Sequence, residues 1–172
     1  MIVRNLTLAI LIGLLLGGCC AQAPTGKPIE PANIGVVFLL DSSNQKLTPL
    51  PKELWKTIGK PGWTTTTGTI QVEGETSSLR IKTGNKTEFV FNVGSPESVR
   101  LYQFTRKKNK REVELVKIKG AFRKQRDMAE SIPTDITRYG DSSYKLVPQS
   151  PLSPGEYGLD VGGNLFTFGV DQ

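Results

Sequence analysis

Beyond residue 33 the apolar residues come in short β-prone runs, each closed by glycine, proline, asparagine or aspartate, a spacing that leaves little room for helices. Side chains alternate faces along a strand, so antiparallel pairing across a turn can be tested by counting outward from it. Around Gly162-Gly163 the count sets Leu159 opposite Phe166 and Tyr157 opposite Phe168. Gly-Gly suits a two-residue turn, because both positions need positive φ. Around Gly140-Asp141-Ser142 the count sets Ile136 opposite Leu146; around Gly84-Asn85-Lys86 it sets Ile81 opposite Phe89 and Leu79 opposite Phe91. A hairpin centred on Lys108-Asn109 pairs Phe104 with Val113, Tyr102 with Leu115, Leu101 with Val116 and Val99 with Ile118. Its inner and outer pairs face opposite ways, with the changeover between Leu101 and Tyr102 and between Leu115 and Val116. That predicts a long hairpin that buries different faces along its length, bends between two sheets, or carries a pair of bulges.

Residues 34–40 form an unbroken apolar run suited to a strand buried on both faces, and residues 63–72 are Thr-rich and β-prone. Pro49 and Pro51 argue against a central strand there. Residues 53–58 read as one helical turn, and polar residues 123–130 as a short helix or a surface loop. The expected fold class is all-β, a β-sandwich of antiparallel hairpins over residues 34–172. Leu152-Ser153-Pro154-Gly155-Glu156-Tyr157 resembles the L-x-P-G-E-Y segment found before a late strand in many bacterial immunoglobulin-like domains. The resemblance implies an immunoglobulin-like β-sandwich with a tyrosine corner, in which the Tyr157 hydroxyl bonds backbone a few residues upstream. It covers the last quarter of the chain best and implies fold rather than function.

The amino terminus carries Arg4 and then an apolar run over residues 6–16, broken only by Thr7 and Gly13. As a helix this run spans about 16 Å, against a hydrocarbon core of roughly 30 Å, so it reads as a signal peptide rather than a membrane span. Leu16-Gly17-Gly18-Cys19 resembles the lipobox of bacterial lipoproteins. The resemblance implies cleavage after residue 18, thioether lipidation of Cys19 and acylation of the new amino group. An alternative cut after Ala21-Gln22-Ala23 is disfavoured by Pro24. Cys20, rather than aspartate, follows the modified position, which by analogy with enteric bacteria favours the outer membrane. Residues 19–33 hold three prolines and read as the lipidated start of a flexible tether.

There is no histidine, and the two cysteines are Cys19 and Cys20. The domain therefore has no Ser-His-Asp triad, Cys-His pair, His-containing zinc site or internal disulfide. No catalytic motif is visible and no cofactor is implied. Carboxylates, lysines, serines and tyrosines remain. Glu156, Asp160 and Asp171 lie near the last hairpin, where paired carboxylates could do glycosidic acid–base work across a cleft; solvated surface is the plainer reading.

Two surface candidates stand out. Arg106, Lys107, Lys108, Lys110 and Arg111 surround a hairpin tip that could touch an anionic surface or an acidic partner; lysines also keep an exposed strand soluble. Trp55 and Trp63 could form a glycan platform, or could close one end of the core with each indole N–H satisfied. The reading is a membrane-anchored, non-enzymatic binding or assembly module of the cell envelope. A carbohydrate- or envelope-polymer-binding module is the alternative, and a small hydrolase stands behind both. The expected partners are the membrane, through the lipid, and an envelope protein or polymer. No nucleic-acid-binding motif is visible.

Overall fold

A computed structural model of the chain describes residues 27–61, 65–84, 86–119, 125–128 and 130–172. These residues are all-β. The strands are β1 (Val37–Asp41), β2 (Lys46–Pro49), β3 (Lys52–Glu53), β4 (Trp55–Pro61), β5 (Thr65–Glu73), β6 (Arg80–Lys82), β7 (Phe89–Phe91), β8 (Arg100–Lys107), β9 (Lys110–Lys119), β10 (Gln125–Met128), β11 (Thr134–Arg138), β12 (Tyr144–Pro148), β13 (Gly155–Val161) and β14 (Asn164–Asp171). Five strands form one antiparallel sheet in the order β11-β12-β7-β1-β2. The other sheet runs β3-β14-β13-β8-β9-β5-β4, with β10 beside β9 and β6 beside β14.

The two sheets share one apolar core. Val37, Phe89, Phe91 and Leu146 contribute from the smaller sheet, and Leu101, Tyr157, Leu159, Phe166 and Phe168 from the larger. The Phe89 and Phe168 rings meet across it at 4.9 Å between centroids, and Tyr157 stacks on Phe168 at 5.4 Å. The alternation expected of strands selects these side chains: Tyr157, Leu159 and Val161 of β13 and Phe166, Phe168 and Val170 of β14 all enter this core.

The larger sheet also buries part of its other face. β3 pairs with β14 and β4 with β5, at opposite ends of the strand order, yet only Leu54 separates β3 from β4 in the chain. The sheet must therefore curl toward closure, giving a half-barrel. Ile70, Val72, Phe104 and Leu165 form a second cluster inside the curl, with Trp55, Val113 and Leu115 packed against it. Gly158 faces this cluster, and a Cβ there would collide with the Phe104 ring.

Two hairpins pair as counted: Leu159 with Phe166 and Tyr157 with Phe168, and Ile136 with Leu146. Gly162 and Gly163 take φ of 58° and 82°. The Tyr157 hydroxyl donates to the Ser153 carbonyl at 2.6 Å, the bond expected of a tyrosine corner. β2, which ends at Pro49, is an edge strand, as that proline and Pro51 after it lead one to expect.

Other expectations are corrected. The Gly84 hairpin does not form: β6 runs parallel to β14 in the larger sheet, and β7 lies between β1 and β12 in the smaller one. The strand buried throughout is β7, where Phe89, Val90 and Phe91 are inaccessible; β1 starts only at Val37 and leaves Phe38 and Leu39 half-buried. Residues 53–58 form strands rather than a helical turn, because Lys52, Glu53 and Trp55 all enter ladders. Residues 125–128 are a strand on β9 rather than a helix. The Lys108 hairpin keeps its counted register but only for three pairs, Thr105 with Glu112, Arg106 with Arg111 and Lys107 with Lys110. Beyond them the strands fork: β8 joins β13 over residues 100–104, and β9 continues beside β5. The face change on β9 is a bulge, since Gly68 pairs with Val116 and Thr69 with Glu114, skipping Leu115.

Gly158→Ala overpacks the second cluster and is expected to cost about 1–3 kcal/mol in urea denaturation. Adding Phe104→Leu should return part of that loss, so the double variant is less destabilised than the sum of the singles. Additive losses would show that the two sites do not meet.

Candidate functional site

Residues directly opposite each other in a sheet point to the same face, and like charges so placed repel. At the fork Arg106 opposes Arg111. Glu156, on the strand that β8 joins, resolves the conflict. Its Oε1 accepts from the Arg106 guanidinium at 2.7 Å, and its Oε2 lies 3.7 Å from that of Arg111. Glu156 is 0% exposed and Arg111 1% exposed. A third guanidinium, that of Arg80, lies over the backbone of Gly169, where a Cβ would collide with it, and pairs with both Glu156 and Asp171.

The network continues through uncharged donors. The Ser77 N–H donates to Glu156 at 2.8 Å, and the Ser77 hydroxyl donates to Thr167, which donates in turn to Glu53 at 3.2 Å. Arg111 donates to Ser77 Oγ, Glu53 and the carbonyls of Glu73 and Gly74. Among the described residues no buried side-chain polar atom lacks a partner. Burial pushes the Glu156 carboxyl up, but Arg80, the Ser77 N–H and Arg106 outweigh it and hold the group below the usual carboxylate range. A groove of about 430 Å³, lined in part by Gln103, Arg106, Gly155 and Asp171, opens over this carboxylate.

The five tip cations therefore separate. Arg111 is interior, because Glu156 and the curled sheet enclose it, so it does not belong to an exposed patch. Arg106 is partly engaged by Glu156, while Lys107 and Lys110 pair with Glu112 at 3.9 and 3.1 Å. Lys108 is exposed at the turn, beside Asn109 at φ 60°. Trp55 is half-buried against the second cluster, and its indole N–H donates to the Gly163 carbonyl at 3.1 Å. It lines a shallow depression of about 240 Å³ with Leu54, Lys56, Gln71 and Glu73. Of the three carboxylates near the last hairpin, Glu156 and Asp171 line the same groove and are bridged by Arg80, while Asp160 lies apart and accepts from the Gly163 N–H. Cys19, Trp63 and the amino-terminal residues read as a signal peptide lie outside the described residues.

Two carboxylates carry more structure than the sequence suggested. Glu88, at the end of the crossover between sheets, is 2% exposed; it accepts from the Ser42 hydroxyl and pairs with Lys86 at 2.7 Å and Lys145 at 3.4 Å. Burial raises its pKa, and Lys86, Ser42 and Lys145 lower it further than burial raises it. Glu30 lies in the Pro-rich segment. Its Oε1 accepts from the Asp141 N–H at 2.7 Å, and its Oε2 from the Ser142 N–H at 2.9 Å and the Ser143 hydroxyl at 2.8 Å. Gly140 makes room for it, since a Cβ there would meet the carboxyl group. Led by the Ser142 N–H, then the Ser143 hydroxyl and Asp141 N–H, these donors lower the Glu30 pKa to about 2. Pro31 is buried next to it, and Lys27 pairs with Asp141 at 2.9 Å, so residues 27–31 are docked on the β11–β12 turn. A lone glutamate in a proline-rich stretch gives no sequence signal for such a role.

Among the described residues no group of three or more carboxylate or thiol side chains could hold a metal ion. Comparison with family models, curated proteins and solved structures found no match to the chain.

Glu156 and Glu30 should each leave a measurable mark on stability. Glu156→Gln leaves the buried guanidinium of Arg111 undercompensated and should cost about 3–5 kcal/mol in chemical denaturation; a loss no larger than that of a surface substitution would mean that Glu156 does not hold the fork together. Glu30 has its ordinary pKa of 4.5 when unfolded and about 2 when folded, so its stabilisation is present above pH 4.5 and drains away as pH falls toward 2. Thermal scans across that window should show Glu30→Gln less stable than the parent at pH 6 and the difference narrowing as pH falls.

Proposed function

We propose that the chain is a lipid-anchored envelope protein that presents an immunoglobulin-like β-sandwich as a non-enzymatic binding or assembly module. The observation that carries the anchor is Leu16-Gly17-Gly18-Cys19 directly after a short apolar run. The sandwich reading draws support from two sheets about one core and from the Tyr157–Ser153 bond; the curl of the larger sheet is an elaboration on it. The non-enzymatic reading draws on how these carboxylates are used: the buried Glu156 and Glu88 and the exposed Asp171 are each committed to guanidinium or ammonium groups. The outer membrane is the anchoring surface, and the contact to an envelope partner is the hairpin tip at Lys107, Lys108 and Lys110.

A second reading, an envelope-polymer-binding module, rests on the depression beside Trp55. An aromatic face next to Lys56, Gln71 and Glu73 offers stacking with polar neighbours, the combination that sugar rings fit. Trp55→Ala with unchanged retention on insoluble envelope polymer would remove it.

The anchor is tested by Cys19→Ala in the native cell. The variant should leave the membrane fraction and lose labelling by a clickable palmitate analogue. Continued labelling and continued sedimentation with membranes would defeat the reading.

A further inference from the structure

The described residues expose three large apolar side chains: Ile29 at 53%, Ile34 at 79% and Leu54 at 91%. Two of them lie on the segment nearest to Cys19 in the chain, and that segment is fixed to the domain. Glu30 is held by the Asp141 and Ser142 N–H groups and two serine hydroxyls, Lys27 pairs with Asp141, and the Gly35 N–H donates to the Asn92 carbonyl at 2.9 Å. Ile29 and Ile34 are thus presented outward from a docked backbone.

We propose that the face carrying Ile29 and Ile34 rests on the lipid surface in which Cys19 is anchored. This rests on the lipoprotein reading and adds an orientation to it. Eight residue-to-residue steps lead from Cys19 to Lys27, and fully extended they reach no more than about 28 Å. A domain of this size is roughly 37 Å across. A tether that leaves from a clamped point cannot reach round the domain, so the clamped face stays the proximal one. A short tether also keeps that face at high local concentration against the bilayer. Exposed isoleucines suit such a surface, the side chains entering the headgroup boundary.

The test uses the full lipidated chain in vesicles of phosphatidylethanolamine and phosphatidylglycerol. In a Cys20→Ser background, Ile34→Cys carries an environment-sensitive fluorophore, and Leu54→Cys carries the same probe for comparison. Spin-labelled lipids should quench the probe at position 34 severalfold more than at position 54, and Glu30→Gln should shrink that contrast. Equal quenching at the two positions, or none at either, overturns the orientation, including the case in which a protein partner covers the isoleucines. Palmitate labelling of the same preparation reads the anchor separately. Labelled protein without contrast sinks the orientation alone, and unlabelled protein sinks both.

Discussion

The Glu156 carboxylate holds together the place where the fold departs from a simple stack of hairpins. A hairpin whose two strands part company puts its last paired residues under opposing demands. Here those residues are two arginines on one face, which repel unless a negative charge lies between them. Glu156 supplies that charge from the strand to which β8 transfers. Its burial would be unfavourable alone, and so would that of Arg111; each is tolerated because the other and a ring of N–H and hydroxyl groups satisfy it. The curl of the larger sheet depends on this arrangement. With β8 bound to β13 beyond the fork, β9 is free to carry β5 and β4 around toward β3.

The same device recurs at two further junctions where backbone ladders stop. The crossover that takes the chain from β6 to β7 ends at Glu88, held by Ser42, Lys86 and Lys145. The approach to β1 is fixed by Glu30 in the β11–β12 turn. Strands satisfy their polar groups through pairing, but a junction between sheets must recruit side chains. A carboxylate suits the task because it accepts several hydrogen bonds and binds N–H donors and cations at once. All three glutamates have folded-state pKa values below the usual range, so each junction is weakened when its glutamate is protonated as the solution turns acid.

What the sequence made legible follows the same division. The Gly162-Gly163 and Gly140 hairpins were readable because their turns are short and each strand pairs with its chain neighbour. The Leu-x-Pro-Gly-Glu-Tyr segment announced the Tyr157 bond to Ser153 because both ends of that bond lie within it. The Lys108 hairpin was half legible. Its opposed apolar faces recorded both the fork and the Leu115 bulge, but pairing arithmetic cannot tell a bent hairpin from strands that separate. The Gly84 turn misled for a physical reason: the pattern of Leu79 and Ile81 against Phe89 and Phe91 is equally satisfied when the two runs enter one core from opposite sheets. The glutamate junctions were illegible because their partners are remote, 79 residues from Ser77 to Glu156 and 112 from Glu30 to Ser142.

The charge at the hairpin tip illustrates how far composition can mislead about a surface. Five cations in six residues read as a strong positive patch. Folding withdraws Arg111 completely and Arg106 in part, and Glu112 sits between Lys107 and Lys110. The field that reaches solvent is therefore that of a few partly neutralised lysines, which salt screens within about 8 Å under physiological conditions. Such a tip can favour an acidic partner at contact but steers it weakly from a distance. The arginines in that run serve the fork, and their density marks a structural junction before it marks an interface.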